Sequence, residues 1–285
     1  MKSGVHAQSV PRWGQTAKPP RKEAINLNII TYGKDERILL AKNELLLEAD
    51  LQGVSCVHLF PIPTTQNGKT LKGGEEDLSS LGGRIKDGEA AFCYGGAEEL
   101  KKKSLGRVYD LSDDGAFLEG NAYLTAIAAL GYLFYERGFL PDGKRVGIIG
   151  FGRIGSAFAK LIAYFGGELT LFTSKKELKD TLFDMGIMSA LSFGTGGIAR
   201  ENVMGLDLLV NTAEAPLISP DLKDALEGAL VLELASGDNI PREIPHEILH
   251  ALPTKYFLRE AGALYCRRVR EILGKISSEG EETVI

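Results

Sequence analysis

The run Val146-Gly147-Ile148-Ile149-Gly150-Phe151-Gly152-Arg153-Ile154-Gly155 carries the most specific chemistry in this sequence. Its GxGxxG spacing follows a β-type apolar run and opens an amphipathic helix, the context that a dinucleotide requires. Gly150 permits a tight turn, Gly152 lets the backbone approach a pyrophosphate, and Gly155 allows close helix–strand packing. Arg153 and Ile154 open the helix, whose exposed N–H groups and dipole then hold the phosphates. At the end of the next strand, where an acid would grip the ribose 2′-hydroxyl, the chain offers Thr173, Ser174 and Lys175. Without that acid a 2′-phosphate is not repelled, and hydroxyls plus a lysine bind it by charge-assisted hydrogen bonds. NADP is therefore the expected cofactor, with NAD as the alternative. Two later strand ends, Val210–Pro216 and Leu234–Gly237, offer Thr212, Ala213 and Ser236 to the nicotinamide side, since open α/β sheets bind ligands at the carboxyl ends of their strands.

A second run, His246-Glu247-Ile248-Leu249-His250, matches the HExxH signature of zinc hydrolases. That chemistry needs both histidines on one face of a stable helix, with a third ligand beyond. Pro245 and Pro253 bracket the run, its place in the chain is that of a last strand, and Glu271, which could be offered as a third ligand, falls on the final helix. No metal is expected there. Cys56, Cys93 and Cys266 are widely spaced with no CxxC pair, which gives no metal or disulfide framework and suits a reducing compartment.

These motifs need a scaffold, and the pattern of apolar runs supplies one. The chain has 285 residues, 44% hydrophobic and 25% charged, a composition and length that suit two globular domains. Residues 1–24 are expected to be a flexible arm. An N-terminal α/β domain over 25–118 contains strands at Leu27–Tyr32, Val54–Leu59, Ala90–Tyr94 and Val108–Leu111. Phe117–Arg137 is one long apolar helix, and a dinucleotide-binding domain spans 119–255. Its strands are expected at Arg145–Gly150, Glu168–Thr173, Leu206–Asn211, Leu230–Ala235 and Ile248–Ala251, with helical segments at Ile154–Phe165, Lys175–Met185 and Pro220–Leu226. Such alternation of apolar strands with helices predicts an α/β fold, a Rossmann doubly wound parallel sheet joined to a smaller N-terminal α/β domain. A last helix within 256–285 is long enough to return to the first domain before a frayed tail. A net charge of −5 without a basic run excludes nucleic acid as the main partner. The most apolar stretch, Ala122–Tyr135, is too short to span a bilayer, and with no secretory leader the expected location is cytoplasmic.

Taken in order from Ile29 to Leu273, the sequence resembles the A subunit of bacterial dipicolinate synthase. Gly33-Lys34-Asp35-Glu36-Arg37 is similar to that family's Gly-Gly-Asp-Ala-Arg turn, and Pro61-Ile62-Pro63-Thr64-Thr65 falls where it has a proline followed by two threonines. Asp113-Asp114, Val210-Asn211-Thr212, Leu234-Ala235-Ser236, Leu252-Pro253 and Ala261-Gly262 follow in family order. The resemblance implies an NADP-linked oxidoreductase, active in sporulation, that forms dipicolinic acid from a dihydrodipicolinate-type ring with a flavoprotein-like B subunit. Self-association into a homo-oligomer is also expected. Arg37, Thr64 and Thr65 would then meet the small dicarboxylate, because both segments follow parallel strands and open onto one cleft edge. The fork of Arg37 matches a carboxylate, and Arg259 is a second candidate. The chain departs from the family at Leu124-Thr125-Ala126-Ile127, where the family has Val-Glu-Gly-Thr, and again at Thr254–Glu260. The run from Gly150 to Gly155 is also similar to D-2-hydroxyacid dehydrogenases, although Ser236-Gly237-Asp238 lacks their substrate arginine. A non-catalytic dinucleotide sensor or partner subunit stays open beside both enzymes.

Overall fold

Short apolar strands in the first part of the chain pair in parallel because each is followed by a segment that must cross back over the sheet. The computed structural model describes residues 28–47, 54–174, 189–192 and 197–281. The expected arm 1–24, the expected helix Lys175–Met185 and Lys175 itself lie outside the described residues. β1 (Asn28–Thr31), β2 (Cys56–Leu59), β3 (Ala90–Cys93) and β4 (Arg107–Asp110) form a parallel sheet in that order. Ile29 lies beside Val57, and Val57 beside Ala90, so apolar residues meet on the same face across strands. β2 and β3 are buried on both faces, which explains why neither alternates in polarity.

One face of this sheet is covered by α1 (Glu36–Leu47) and the long C-terminal helix. Ile38, Ala41 and Leu45 pack with Tyr265, Val269 and Leu273 over Val57, Leu59 and Phe92. The other face is covered by α2 (Leu78–Gly82) and α3 (Ala97–Lys101), through Leu78, Leu81 and Leu100 against Phe60, Ala91 and Cys93. Five residues each, α2 and α3 are too short to write a helical period into the sequence.

The second sheet is larger. β5 (Arg145–Ile149), β6 (Glu168–Thr173), β7 (Ser189–Ser192), β8 (Leu208–Asn211), β9 (Leu230–Glu233) and β10 (Glu247–Ile248) are all parallel, in the order β10-β9-β8-β5-β6-β7. The chain therefore starts at the centre, runs outward through β6 and β7, and returns to build the other side from β8. This is the doubly wound α/β arrangement, with its switch point between β5 and β8. α4 (Gly115–Glu136) and α5 (Arg153–Tyr164) bury Ala126, Leu133, Phe158 and Ile162 on one face. Val203, Leu222 and Leu226 cover the other, against Ile149, Phe172 and Val231. Pro220–Leu226 is helical over the expected residues, in the 3-10 form. Two details differ from the sequence reading: β7 has no counterpart among the expected strands, and the last strand keeps two residues before Ala251 turns left-handed (φ 53°) into α6 (Leu252–Tyr256). Among the described residues no helix is long and apolar enough to cross a membrane.

α7 (Leu258–Glu281) then returns to the first sheet. A Cβ at Gly262 would lie 2.9 Å from the Leu40 Cβ, so only glycine lets α7 sit this close to α1. Tyr265, fully buried, donates its hydroxyl to the carbonyls of Phe60 (3.3 Å) and Phe92 (3.1 Å) at the ends of β2 and β3. Asp114 caps α4 by accepting from the Phe117 N–H at 2.7 Å, and its other oxygen accepts from Arg268 of α7 at 2.6 Å. Burial pushes the Asp114 carboxyl up, but the Arg268 guanidinium and the Phe117 N–H outweigh it and hold the group below its ordinary value. A depressed folded pKa stabilises the protein above the unfolded pKa of about 3.9, and the contribution is lost as pH falls through the folded value. Arg268→Ala is expected to cost about 1–3 kcal/mol at neutral pH. Urea denaturation should show the gap between variant and parent narrowing as the pH falls through the folded value of Asp114.

Candidate dinucleotide and substrate site

The carboxyl end of β5 sets the geometry of the site. Gly150 has φ 92°, a left-handed value, and a Cβ there would lie 2.8 Å from the Thr212 hydroxyl. At Gly155, inside α5, a Cβ would lie 2.7 Å from that same hydroxyl and closer still to the Gly150 carbonyl oxygen. The chain's own packing therefore excludes side chains at both positions. Gly152 is different: a Cβ there would meet nothing within 4 Å. It faces open space at the start of α5, where Gly152 as N-cap supplies no side-chain hydrogen bond to the first turn. Uncapped N–H groups with a helix dipole behind them suit an anion. Arg153 is exposed, 3.8 Å from Glu119 on α4, and Ile154 packs into the core between the helices.

The neighbouring loops are held by buried polar groups. Thr212 donates its hydroxyl to the Ile149 carbonyl at 2.8 Å, and the Ala213 N–H donates to the Asn211 side chain at 3.1 Å. The Asn211 amide in turn donates to both oxygens of Glu233, 3.0 Å each. Glu233 is 0% exposed on β9 and also accepts from the N–H groups of Ala235 (2.9 Å) and Asn239 (3.2 Å). One carboxylate thus fixes the loops after β8 and β9 together. Ser236 stands exposed on the second loop. Thr173 is buried at the end of β6 and Ser174 is exposed beside it.

The first sheet contributes its own strand ends. Arg37 is 9% exposed, and its guanidinium hydrogen bonds stay within the chain. Nε donates to Asp35 Oδ1 (3.0 Å), while Nη2 donates to Asp35 Oδ2 (2.7 Å) and to the Ile62 carbonyl (2.6 Å). The Ile62 N–H completes the clamp by donating to Asp35 at 2.9 Å. Burial raises the Asp35 carboxyl, but the Arg37 bonds and charge more than offset it and the group lies below its ordinary value. Thr64 is fully buried, donating to the Pro61 carbonyl (2.9 Å) and accepting from the Tyr94 N–H (2.8 Å). Through these bonds Arg37 and Thr64 join the loops after β1, β2 and β3. Thr65 is half-buried, its hydroxyl donating to Asn67 at 3.2 Å. Arg259, the second candidate, is exposed near the start of α7.

Tyr94 is the residue that the sequence did not single out. It follows β3 just before Gly95-Gly96, half-buried, with its ring edge-on to Phe117 of α4 at 6.0 Å. Burial raises its phenol, Asp110 and Glu214 raise it further, and Arg153 and Arg37 pull it back. Arg37 and Asp110 belong to the first sheet's loops, Arg153 and Glu214 to the second's, so the Tyr94 phenol feels charges from the strand ends of both sheets. Elsewhere, the HExxH run lies on β10 and its flanks. Glu247 bonds the Tyr132 hydroxyl and pairs with Arg137, His246 Nδ1 is 2.8 Å from the Ile244 carbonyl, and His250 is exposed.

A doubly wound sheet whose first strand ends in this glycine turn defines a class, the dinucleotide-binding α/β proteins. Residues 135–193 match the family model described as the NAD-binding domain of D-isomer specific 2-hydroxyacid dehydrogenases. By sequence, no curated protein matches the chain. In three dimensions it is similar to the A chain of dipicolinate synthase from Bacillus subtilis, at 16% identity and TM-score 0.72, over 89% of this chain and 97% of that one. The corresponding dipicolinate synthase polypeptide from Bacillus halodurans is similar at 15% identity and TM-score 0.70, over 88% and 98%. A transhydrogenase from Sinorhizobium meliloti shares the fold at 13% identity and TM-score 0.57, over 86% and 91%. An NAD-binding domain is thus present, and this domain match supports an NAD(P)-dependent oxidoreductase, while the structural neighbours share the fold.

Two outcomes follow for the site. Gly152→Val should fold and melt like the parent while losing dinucleotide binding in a fluorescence titration, whereas Gly155→Ala should lose stability first. Arg37→Ala leaves Asp35 buried and unpaired, so urea denaturation should register a cost of about 3–5 kcal/mol.

Proposed function

We propose that the chain transfers a hydride between NADP(H) and a small cyclic dicarboxylate of the dihydrodipicolinate type. The observation that carries this reading is the glycine turn, pinned at Gly150 and Gly155 and open at Gly152, at the carboxyl end of β5. Tyr94, whose phenol feels charges from the strand ends of both sheets, adds a donor on the substrate side. The likeness to two dipicolinate synthase structures over nearly their whole length supports the choice of substrate class. The same likeness brings a flavoprotein-like second subunit into the proposal.

Gly150, Gly152, Arg153, Ile154 and Gly155 hold the pyrophosphate in this reading. Thr173 and Ser174, with Lys175, take the 2′-phosphate, and Thr212, Ala213 and Ser236 line the nicotinamide side. The dinucleotide, when bound, supplies the hydride acceptor or donor. Oxidation of a dihydro ring also releases a proton. A phenol held above its ordinary value stays protonated at neutral pH, so Tyr94 acts as a hydrogen-bond donor that orients the ring. Glu214, exposed on the loop after β8, is the carboxylate that receives the proton. Thr65 is the remaining hydroxyl on the substrate side. A second reading, a D-2-hydroxyacid dehydrogenase, is favoured by the family-model match, but Ser236-Gly237-Asp238 after β9 offers no arginine for the acid.

The test mixes the purified chain with NADP⁺ and dihydrodipicolinate and follows NADPH absorbance. Turnover is expected, with NADPH bound more tightly than NADH and Lys175→Glu reversing that order. Tyr94→Phe should lower kcat/KM by about 10-fold or more with dinucleotide affinity unchanged. Turnover of 2-hydroxyacids instead selects the second reading. Dinucleotide binding with turnover of neither identifies a sensor.

A further inference from the structure

The amino ends of the first sheet, opposite the strand ends that line the cleft, hold a cluster with no part in that site. Cys56 opens β2, His58 lies two residues on and so shares its face, and Glu89 immediately precedes β3. One ligand atom from each of the three lies within 4.8 Å of the others. Cys56 is 3% exposed and His58 1%, while the Glu89 side chain, 17% exposed, reaches the surface beside them. We propose that Cys56, His58 and Glu89 form a site for zinc, or a similarly thiophilic divalent cation, that ties β2 to the turn entering β3.

The donor set fits that class of ion. Thiolate, imidazole and carboxylate together suit zinc, whereas calcium and magnesium take oxygen ligands. A divalent ion held by one thiolate and one carboxylate is neutral as a unit, which is the least costly way to place such charges in a nearly closed site. The imidazole is oriented as a metal ligand's would be. His58 Nδ1 lies 2.9 Å from the Tyr32 hydroxyl, and Nε2 points at Glu89, 2.9 Å from Oε2. That same oxygen accepts from the Lys86 N–H at 2.7 Å, which holds the carboxylate against the cluster. Tyr32 is itself fixed by stacking on Phe60, with centroids 4.3 Å apart and planes 5° from parallel. When Nδ1–H donates to Tyr32, the Nε2 lone pair faces a carboxylate, and a cation between them resolves the repulsion. The metal-free alternative is the other tautomer, in which Nε2–H donates to Glu89 and the Tyr32 hydroxyl donates to Nδ1.

The full chain, stripped with a chelator and titrated with cobalt(II), distinguishes the two. Equimolar binding is expected, with a near-ultraviolet thiolate-to-cobalt charge-transfer band that equimolar zinc removes. Cys56→Ser and His58→Gln should abolish the band, and Glu89→Gln, at the most exposed ligand, should weaken binding while leaving fold and NADPH affinity intact. Thermal melting and NADPH titration report whether each variant is folded. His246→Ala and His250→Ala should leave the band unchanged. The proposal is overturned by absence of the band in the parent, by its survival in folded Cys56→Ser or with unaltered strength in Glu89→Gln, or by its loss in the His246 and His250 variants. A proton on His58 Nε2, seen by nitrogen NMR in the presence of zinc, would establish the hydrogen-bonded relay instead.

Discussion

A helix can begin directly beneath the end of the strand that precedes it only if the atoms at the junction carry no side chains. The closeness of Gly155 to the Gly150 carbonyl and the Thr212 hydroxyl is that constraint in this protein. It draws α5 under β5 and fixes β8 alongside, because Thr212 also hydrogen-bonds the last carbonyl of β5. The open space at Gly152 is a consequence. With the turn pinned on both sides, its remaining exposed edge is backbone N–H groups at a helix start, and the switch point between β5 and β8 becomes a place whose geometry suits an anion. The specificity of this site then depends on what the adjoining loops present, and those loops are rigid for a different reason.

Around the cleft, buried polar pairs tie neighbouring loops together. Glu233 with Asn211 does so after β8 and β9. Asp35 with Arg37 does so after β1 and β2, and Thr64 bridges on to Tyr94 after β3. Tyr265, from the far end of the chain, closes the carbonyls at the ends of β2 and β3. A buried charge stripped of its partner is expensive, so each pair holds its loops in one arrangement more firmly than apolar contact would. This is a frame in which the groups that meet a ligand need not also hold themselves in place.

What is written locally was legible in the sequence. The glycine run and the apolar strands each depend on residues close together in the chain, and each led to a feature that the structure displays. What is set by contacts between distant segments was not legible. A sequence presents Arg37 as a free donor, and only the fold shows that Asp35 and the Ile62 carbonyl occupy it. Tyr94 could not be singled out while the converging charges on Arg153 and Glu214 belonged to another sheet. His58 had no partner legible in the sequence, because Glu89 reaches Cys56 and His58 only through the pairing of β2 with β3. Short elements failed for a simpler reason: α2 and α3 contain too few residues to express a period.

The division between residues that hold and residues that act also bears on the arginines of this chain. Arginine is the natural partner of a carboxylate, and in a cleft built for dicarboxylates it would be placed where solvent and ligand reach it. Arg37 is instead turned inward, and Arg153 is the exposed guanidinium among the charges around Tyr94. Arg153 belongs to the glycine turn, so the cation that a substrate would feel is carried by the same segment that would bind the cofactor. In the proposed reading, charge on the substrate and charge on the dinucleotide would be coupled through that one side chain. The Tyr94 phenol feels the same Arg153, with Asp110 and Glu214 raising it and the two guanidiniums lowering it. A neutral donor there can hold an anionic ring without a second exposed arginine, since a hydroxyl that stays protonated donates to a carboxylate at little desolvation cost compared with a buried cation.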